Sequence, residues 1–250
     1  MNQLVRLDVA GEVATITLDS PENRNALSRV LVTQLSESLQ SAGEDGAVKV
    51  VVLTSSQRVF CAGADLSEAV SEGMDEGTRA MIALFRWIVA LPKPVVARVE
   101  GPVLAGGIGI IGACDAVVAS TEASFAFTEV RLGLTPAVIS LTVLPRLADR
   151  AAALTFLGGG KFGGEEAARI GLVTRAVAPE GVDDAMAQVV GAFCKGSPQG
   201  LRETKGLLNA RLLTSIDERG DELARLSARL FGSEEARAAM RAFLEKRAGG

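Results

Sequence analysis

The chain has 250 residues, of which 48% are hydrophobic and 22% are charged, and its formal net charge is −4. This length and composition are typical of a soluble protein with one large domain, or one domain and an appendage. The mildly acidic balance gives no reason to expect nucleic acid or an anionic membrane as the main partner.

The residue types that are missing exclude several classes of active site. The sequence contains no histidine and no tyrosine, so Ser-His and Cys-His mechanisms, histidine metal sites and a tyrosine proton donor are excluded. Asp, Glu, Lys and Cys are left as candidate bases. The three cysteines, Cys61, Cys114 and Cys194, are odd in number and lack metal-ligand spacing. They favour a reducing compartment and predict no metal site.

Two segments bear on where the protein acts. The N-terminus lacks the apolar core that follows the basic start of an export signal, so we expect a cytoplasmic protein. The most apolar segment, residues 101–119, is rich in glycine and contains Asp115. We therefore expect a buried helix there and no membrane span.

Strands and helices alternate over the first half of the chain. Apolar and polar residues alternate on either side of Ala10-Gly11 and predict a hairpin, whereas leucines at helical spacing predict a helix after a turn at residues 20–23. In chain order, the predictions are a hairpin over residues 4–18, a helix from about 27 to 42, a strand over 48–53, a loop over 58–66 and an amphipathic helix over 76–91.

The second half begins with a buried strand and ends in helices. A β-branched run from Val95 predicts the strand, and the pair Gly106-Gly107 leads into an apolar helix that Asp115 ends. The remaining predictions are a strand over 116–119, helices over 137–147 and 149–157, a glycine loop over 158–160, a strand over 173–177, and helices over 182–194, 198–213, 217–231 and 234–247.

The change from mixed structure to helices indicates two regions. We place the boundary near residue 195, so that residues 1–195 form a strand-containing core and residues 196–250 form a helical region. A helical region that cannot bury its own apolar face often packs on a neighbouring subunit. We therefore expect the chain to form an oligomer.

Two features of the central segment point to chemistry. The pair Gly106-Gly107 at a helix entrance offers backbone N–H groups that no side chain shields. Glu129 is a lone carboxylate after Phe127-Thr128, and apolar surroundings would raise its pKa and make it a candidate base. Donors and a base together are a minimal set for forming an enolate. A surface Glu129 paired with Arg131 is the equally open alternative.

The glycines at residues 107–112 match the G-x-G-x-x-G pattern of dinucleotide-binding sites. That pattern normally opens the first βαβ unit of a domain and precedes a ribose-binding acid by about 20 residues. Here about a hundred residues precede it, and no such acid has a clear counterpart. Close helix packing explains Gly109 and Gly112 better.

Other polar and small residues have mainly a structural interpretation. The turn at residues 61–66 predicts Asp65 near a helix N-terminus, where the dipole stabilises a carboxylate, whatever else the loop does. The functional interpretation of this loop is that the Ala64 N–H points into a site. We interpret Asp115 as the stop of the preceding helix, and Cys61 and Cys114 as small apolar packing groups. The basic side chains expected to be solvated, one of them available to a phosphate, are Arg24, Arg58 and Lys93.

Taken together, these segments resemble the crotonase, or enoyl-CoA hydratase/isomerase, superfamily. The resemblance covers most of the chain and lies in Asn25-Ala26-Leu27, residues 60–66, Lys93-Pro94-Val95, Gly101, residues 105–107, Cys114-Asp115, residues 127–134 and the helical tail. It implies an α/β fold, with a spiral of ββα units that carries the acyl-CoA site and a C-terminal helical trimerisation region. It also implies a homotrimer or a dimer of trimers.

The resemblance also implies an acyl-CoA thioester substrate that carries its own coenzyme A, with no further cofactor and no metal. The backbone N–H groups that bind the thioester oxygen in the family fall on Ala64 and Gly106. The segment that lines the coenzyme A site falls on Ala62, Ala64, Asp65 and Leu66. Of the two glutamates in family hydratases, the second matches Glu129, whereas the position of the first is Gly109.

Glycine at the position of the first glutamate leaves three functions open. A hydratase-type enzyme of fatty or branched acyl-CoA degradation is favoured, because hydratase relatives of branched-chain and terpenoid acyl-CoA degradation also have glycine there and a similar stretch at residues 134–140. A Δ3-Δ2 enoyl-CoA isomerase is the alternative, since one carboxylate suffices to move a proton between two carbons. A non-catalytic acyl-CoA-binding protein is the alternative of another class.

Overall fold

A central β-sheet organises the computed structural model of the chain, which describes residues 3–72 and 74–248. Within these residues the main sheet has six strands, and a second sheet has three. The strands are β1 (Val5–Ala10), β2 (Val13–Leu18), β3 (Val50–Ser55), β4 (Val95–Val99), β5 (Val103–Leu104), β6 (Ala116–Ser120), β7 (Ser124–Ala126), β8 (Phe162–Gly163) and β9 (Arg175–Val177).

The main sheet has the order β1-β2-β3-β4-β6-β9. β1 and β2 form the predicted antiparallel hairpin, and the remaining pairs are parallel. Parallel strands covered on both faces have continuous apolar sequences, and residues 50–53 of β3 are accordingly all buried. β5, β7 and β8 form the second sheet and were not predicted, because strands of two or three residues show no periodicity.

Helices cover the sheet and form the C-terminal region, which confirms the predicted α/β class. They are α1 (Arg29–Glu44), α2 (Leu66–Glu72), α3 (Asp75–Ala90), α4 (Gly106–Ala113), α5 (Ala137–Val143), α6 (Asp149–Gly158), α7 (Gly164–Arg169), α8 (Val182–Cys194), α9 (Pro198–Phe231) and α10 (Glu234–Ala248). Within residues 3–72 and 74–248, every helix is too short or too polar to cross a membrane.

Two helix predictions need correction. The predicted helices over 198–213 and 217–231 are one continuous helix, α9. The link between them contains neither glycine nor proline, and Leu212 and Ile216 are buried four residues apart on one face of the helix. The helix predicted over 137–147 ends at Val143 and continues as a 3-10 turn over Leu144–Arg146, because Pro145 has no N–H to donate.

Helix α4 lies in the middle of the core, and all of its residues are buried. Its glycines allow close contact with neighbouring elements. A methyl group on Gly107 would lie 2.7 Å from Cβ of Cys61, and one on Gly112 would lie 3.0 Å from Cγ2 of Val143. The glycine pattern at residues 107–112 therefore serves packing, and buried Cys61 and Cys114 pack as small apolar groups, as predicted.

A buried ion pair fastens α9 to this core. The Lys205 ammonium lies 2.7 Å from the Asp115 carboxylate, and these side chains are 5% and 18% exposed. The ammonium also donates to the backbone carbonyls of Ile88 and Lys93. The carboxylate accepts the backbone N–H of Val95. Asp115 thus follows the end of α4, as predicted, and also joins the sheet to the helical region.

Lys93 differs from its prediction as a solvated side chain. It is half-buried and donates to the carbonyl oxygens of Ala42 and Asp45 at the C-terminal end of α1. A cation is favourable at that end of a helix because the carbonyl groups there are negative. Arg24 and Arg58 are exposed, in agreement with the prediction.

Asp115→Ala should destabilise the fold strongly, because it leaves the Lys205 ammonium buried without its partner. Loss of one partner of a buried pair costs about 3–5 kcal/mol. The matched control is Asp217→Ala, which breaks the exposed pair with Arg86 and should cost no more than about 1 kcal/mol. Urea unfolding followed by circular dichroism measures both values. Equal losses in the two variants would contradict the anchoring role of Lys205–Asp115.

Candidate active site

The loop before α2 is held between two other backbone segments. The N–H of Leu27 donates to the carbonyl of Gly63 at 2.7 Å, and the N–H of Leu104 donates to the carbonyl of Cys61 at 2.9 Å. Gly63 has a φ of 92°, a conformation that side chains rarely allow. These contacts fix the position of the Ala64 amide, which comes directly after Gly63.

The entrance to α4 has an unusual backbone. Ala105 has a φ of 45° and a ψ of −116°, and such a conformation costs about 1–3 kcal/mol for a residue other than glycine. Its N–H donates to the carbonyl of Ala126 at 3.1 Å, which holds the strained residue against β7. Backbone strain of this kind is common where a structure positions a group for a ligand.

The two loops bring the predicted donor residues together. A methyl group on Gly106 would lie 3.6 Å from the Ala64 nitrogen, and one on Gly63 would lie 3.5 Å from the Gly106 nitrogen. Within residues 3–72 and 74–248, neither the Ala64 N–H nor the Gly106 N–H donates to a protein acceptor. Since buried backbone groups are normally paired, two neighbouring free N–H groups are suited to bind a ligand oxygen.

Strand pairing brings the backbone of Glu129 near these donors, although it is distant from them in the sequence. It begins a 3-10 turn, Glu129–Leu132, that ends at Gly133 with a φ of 68°. The turn follows β7, whose Ala126 accepts the N–H of Ala105. Three residues of chain span at most about 10 Å, so the backbone of Glu129 lies no further than that from Ala126. The parallel pairing of β5 and β7 therefore brings the base and the donors into one region.

The Glu129 carboxyl group is in an environment that favours its neutral form. Its Oε2 atom is buried and has no hydrogen-bond partner in the described part of the chain. Desolvation raises its pKa from the ordinary value of 4.5 to about 7. The alternative ion pair with Arg131 is not formed between these described residues. Glu129 can therefore exchange a proton near neutral pH.

An apolar wall lies on the α4 side of this region. A methyl group on Gly109 would lie 2.4 Å from Cζ of Phe85 and 2.9 Å from Cγ2 of Ile139. No side chain fits at position 109 without displacing these groups. Sequence reasoning identified Gly109 but not Phe85 or Ile139, because nothing in their apolar helices distinguishes them from other core residues.

The other predicted binding residues form the edge of the loop. Asp65 accepts the backbone N–H of Ser67 at 3.0 Å and the side-chain amide of Asn23 at 3.2 Å, so it starts α2 as predicted. Ala62, Ala64 and Leu66 are half-buried. Ala64 and Leu66 pack with an apolar cluster of α2 and α10 residues, which includes Ala69, Ala236 and Met240. Helix α10 thus covers one side of this loop.

Comparison with known proteins links this geometry to a family. The sequence model of the enoyl-CoA hydratase/isomerase family matches residues 8–249. A Thermus thermophilus protein is 37% identical over 246 residues, 95% of this chain and 96% of its own length. The short-chain-enoyl-CoA hydratase of Clostridium acetobutylicum is 31% identical over 97% of this chain and 95% of its own.

Solved structures give the same result. The crystal structure of an enoyl-CoA hydratase from Mycobacterium avium is similar to this chain with a TM-score of 0.90 and 48% sequence identity. The similarity covers 98% of each chain. The loops and the helical region described above therefore belong to a shared architecture.

Glu129→Gln should stabilise the fold at pH 8 and have little effect near pH 4.5. The folded protein keeps the proton up to a pKa of about 7, whereas the unfolded chain loses it near 4.5, so stability falls between these values as the pH rises. The variant removes this loss, which we expect to be about 1–3 kcal/mol after allowing for partial solvent contact. Urea unfolding of the variant and the wild type at both pH values measures this difference in the free energy of unfolding. The same difference at pH 4.5 and at pH 8 would contradict an ionisation that burial disfavours.

Proposed function

The chain belongs to the enoyl-CoA hydratase/isomerase family, and from this premise we propose that it is a hydratase-type enzyme acting on an acyl-CoA thioester. The observation that carries the proposal is the buried Oε2 of Glu129, which has no protein partner within the described residues. β7, which ends three residues before Glu129, accepts the N–H of Ala105 and so adjoins two free backbone donors, Ala64 and Gly106. Free donors and a base that titrates near neutral pH are what enolate chemistry requires.

The donors have a defined role in this proposal. The thioester oxygen binds between the N–H groups of Ala64 and Gly106, where negative charge develops when water adds to the β-carbon or when the α-carbon loses a proton. Donors that are already in place stabilise that charge without reorganisation, and removal of one such donor typically costs about a hundred- to a thousand-fold in rate. The strained Ala105 and the left-handed Gly63 hold the two peptide groups in this arrangement.

One glutamate can complete a hydration. Ionised Glu129 takes a proton from water while the oxygen bonds to the β-carbon of a 2-enoyl-CoA. The electron pair of the double bond moves to the thioester oxygen, which the two N–H groups stabilise. Protonated Glu129 then gives its proton to the α-carbon as the carbonyl re-forms. One water is consumed, and Glu129 returns to its starting form.

The apolar wall at Gly109 favours a second candidate, a Δ3-Δ2 enoyl-CoA isomerase. Position 109 is a glycine and Phe85 fills the space beside it, so this position supplies no second carboxylate to hold water. In this reaction Glu129 removes an α-proton from a 3-enoyl-CoA and returns it to the γ-carbon. The double bond moves into conjugation with the thioester, and no water is consumed.

The coenzyme A site, the cofactor requirement and the type of pathway are inferred from the same family. We propose that residues 62–66 line the coenzyme A site, that coenzyme A arrives with the substrate, and that no metal or further cofactor is required. The substrate belongs to cytoplasmic degradation of fatty or branched acyl chains.

We also propose that the strand-containing core over residues 1–195 carries the site and that the helical region forms a homotrimer or a dimer of trimers. Four leucines with 73–79% of their surface exposed support an assembly of this kind. They are Leu154 and Leu157 on α6, and Leu207 and Leu208 on α9.

A paired assay tests the reaction itself. Purified protein with a 2-enoyl-CoA should cause loss of the conjugated-thioester absorbance and give a product heavier by one water. The 3-enoyl isomer, given separately, should gain that absorbance without a change of mass if the protein is an isomerase. Tight binding without turnover of linear, branched or dicarboxylic thioesters would contradict both the hydratase and the isomerase activity. It would support a non-catalytic acyl-CoA-binding protein.

Glu129→Gln should lower turnover by at least about a hundred-fold, because proton transfer by a positioned carboxylate contributes about 10²–10⁴ in rate. Binding of a non-reactive acyl-CoA, measured by calorimetry, should change less than about three-fold, since the donors are untouched. The exposed Glu122, which precedes β7, provides the matched control Glu122→Gln, with turnover like that of the wild type. Retention of most activity by Glu129→Gln would show that another group is the base.

A further inference from the structure

Two helices face each other beside the candidate donors. Gly106 and Gly109 lie three residues apart on one face of α4, and Met81 and Phe85 lie four residues apart on one face of α3. A methyl group on Gly106 would lie 3.3 Å from Sδ of Met81, and one on Gly109 would lie 2.4 Å and 2.6 Å from two ring carbons of Phe85. The ring of Phe85 therefore occupies the volume into which a side chain at position 109 would project.

The ring cannot easily leave this volume. Phe85 is fully buried, and Ile139 of α5, 2% exposed, closes the other side of position 109. The Thr142 hydroxyl of α5 donates to the carbonyl of Gly109 at 2.9 Å and holds α5 against α4. In a close-packed core, a fully buried ring moves only with its neighbours.

We infer that Phe85 is a specificity-determining residue, which fills the space of a second carboxylate and thereby limits hydration relative to double-bond migration. This inference rests on the proposed function. Where Phe85 excludes a second carboxylate and the water it would hold, Glu129 alone must orient the attacking water. Proton transfer between two carbons of the bound substrate makes no such demand, so Phe85 affects the two reactions unequally.

The inference predicts that faster hydration requires two changes together: removal of the ring that fills the space at position 109, and a carboxylate in that space. Phe85→Ala provides the space, and Gly109→Glu provides the carboxylate. Gly109→Glu alone should lower both activities and the melting temperature, because its side chain meets the ring. In the double variant, the ratio of hydration to isomerisation rates should rise at least about ten-fold above that of Phe85→Ala. Its pH–rate profile should show one more ionisation.

The matched control replaces the carboxylate by an amide of the same shape. In Phe85→Ala/Gly109→Gln, the ratio of the two rates should stay within about three-fold of the ratio in Phe85→Ala, because an amide does not exchange the proton. If the double variant with glutamate has the same ratio and pH profile as Phe85→Ala, or if the glutamine control rises equally, the inference is overturned.

A second measurement tests the packing without relying on activity. Gly109→Ala should lower the melting temperature in the wild-type background and lower it by less in the Phe85→Leu background, since only the wild type places the ring against the new methyl group. If Gly109→Ala lowers the melting temperature equally in both backgrounds, the inference is overturned, even where the larger variants fail to fold. Absence of both reactions in the folded wild-type protein would instead overturn the proposed function. Wild-type activity combined with an unchanged ratio in the double variant would overturn only the role of Phe85.

Discussion

Close contact between α4 and its neighbours is the constraint on which the site depends. Glycine is unfavourable inside a helix by about 1 kcal/mol relative to alanine, yet α4 contains four within Gly106–Ala113. Added carbons at these positions would meet different groups: Leu27 at Gly106, Cys61 at Gly107, Phe85 at Gly109 and Val143 at Gly112. Removing the side chains lets the loop with Ala64 approach the start of the helix. The free N–H groups of Ala64 and Gly106 are therefore a consequence of how the core packs.

Two buried carboxylates show how the same chemical group takes different roles in this fold. Asp115 is held by the Lys205 ammonium and by the backbone N–H of Val95, so its charge is compensated and it joins the sheet to α9. The buried Oε2 of Glu129 has no such partner among the described residues, and desolvation raises the pKa of the group to about 7. A compensated charge of this kind serves structure because its partners lie on different elements and hold them together. An uncompensated carboxyl group can gain or lose a proton near neutral pH, as proton transfer requires.

The sequence was most informative where many residues shared one pattern. The bounds of α8, Val182–Cys194, and the hairpin of β1 and β2 follow from periodicity alone. The pairing of β5 with β7 was not predicted, because it is decided by tertiary contacts between very short segments. For the site, Gly106 and Glu129 could be identified as candidates from composition and spacing. The conformation of Ala105 and the contact between Phe85 and Gly109 depend on how distant segments meet, and neither leaves a local sequence signal.

The environment of Glu129 also bears on whether the site is catalytic. A carboxylate that ionises in a buried position without a partner lowers the stability of the fold at neutral pH, since the unfolded chain solvates the charge better. An apolar side chain at this place would carry no such cost. The buried Oε2 of the residue has no hydrogen-bond partner, and its carboxyl group forms no ion pair with a cation, within the described residues. A purely binding role for the donors of Ala64 and Gly106 does not require this destabilising group, whereas proton transfer to and from a substrate carbon does.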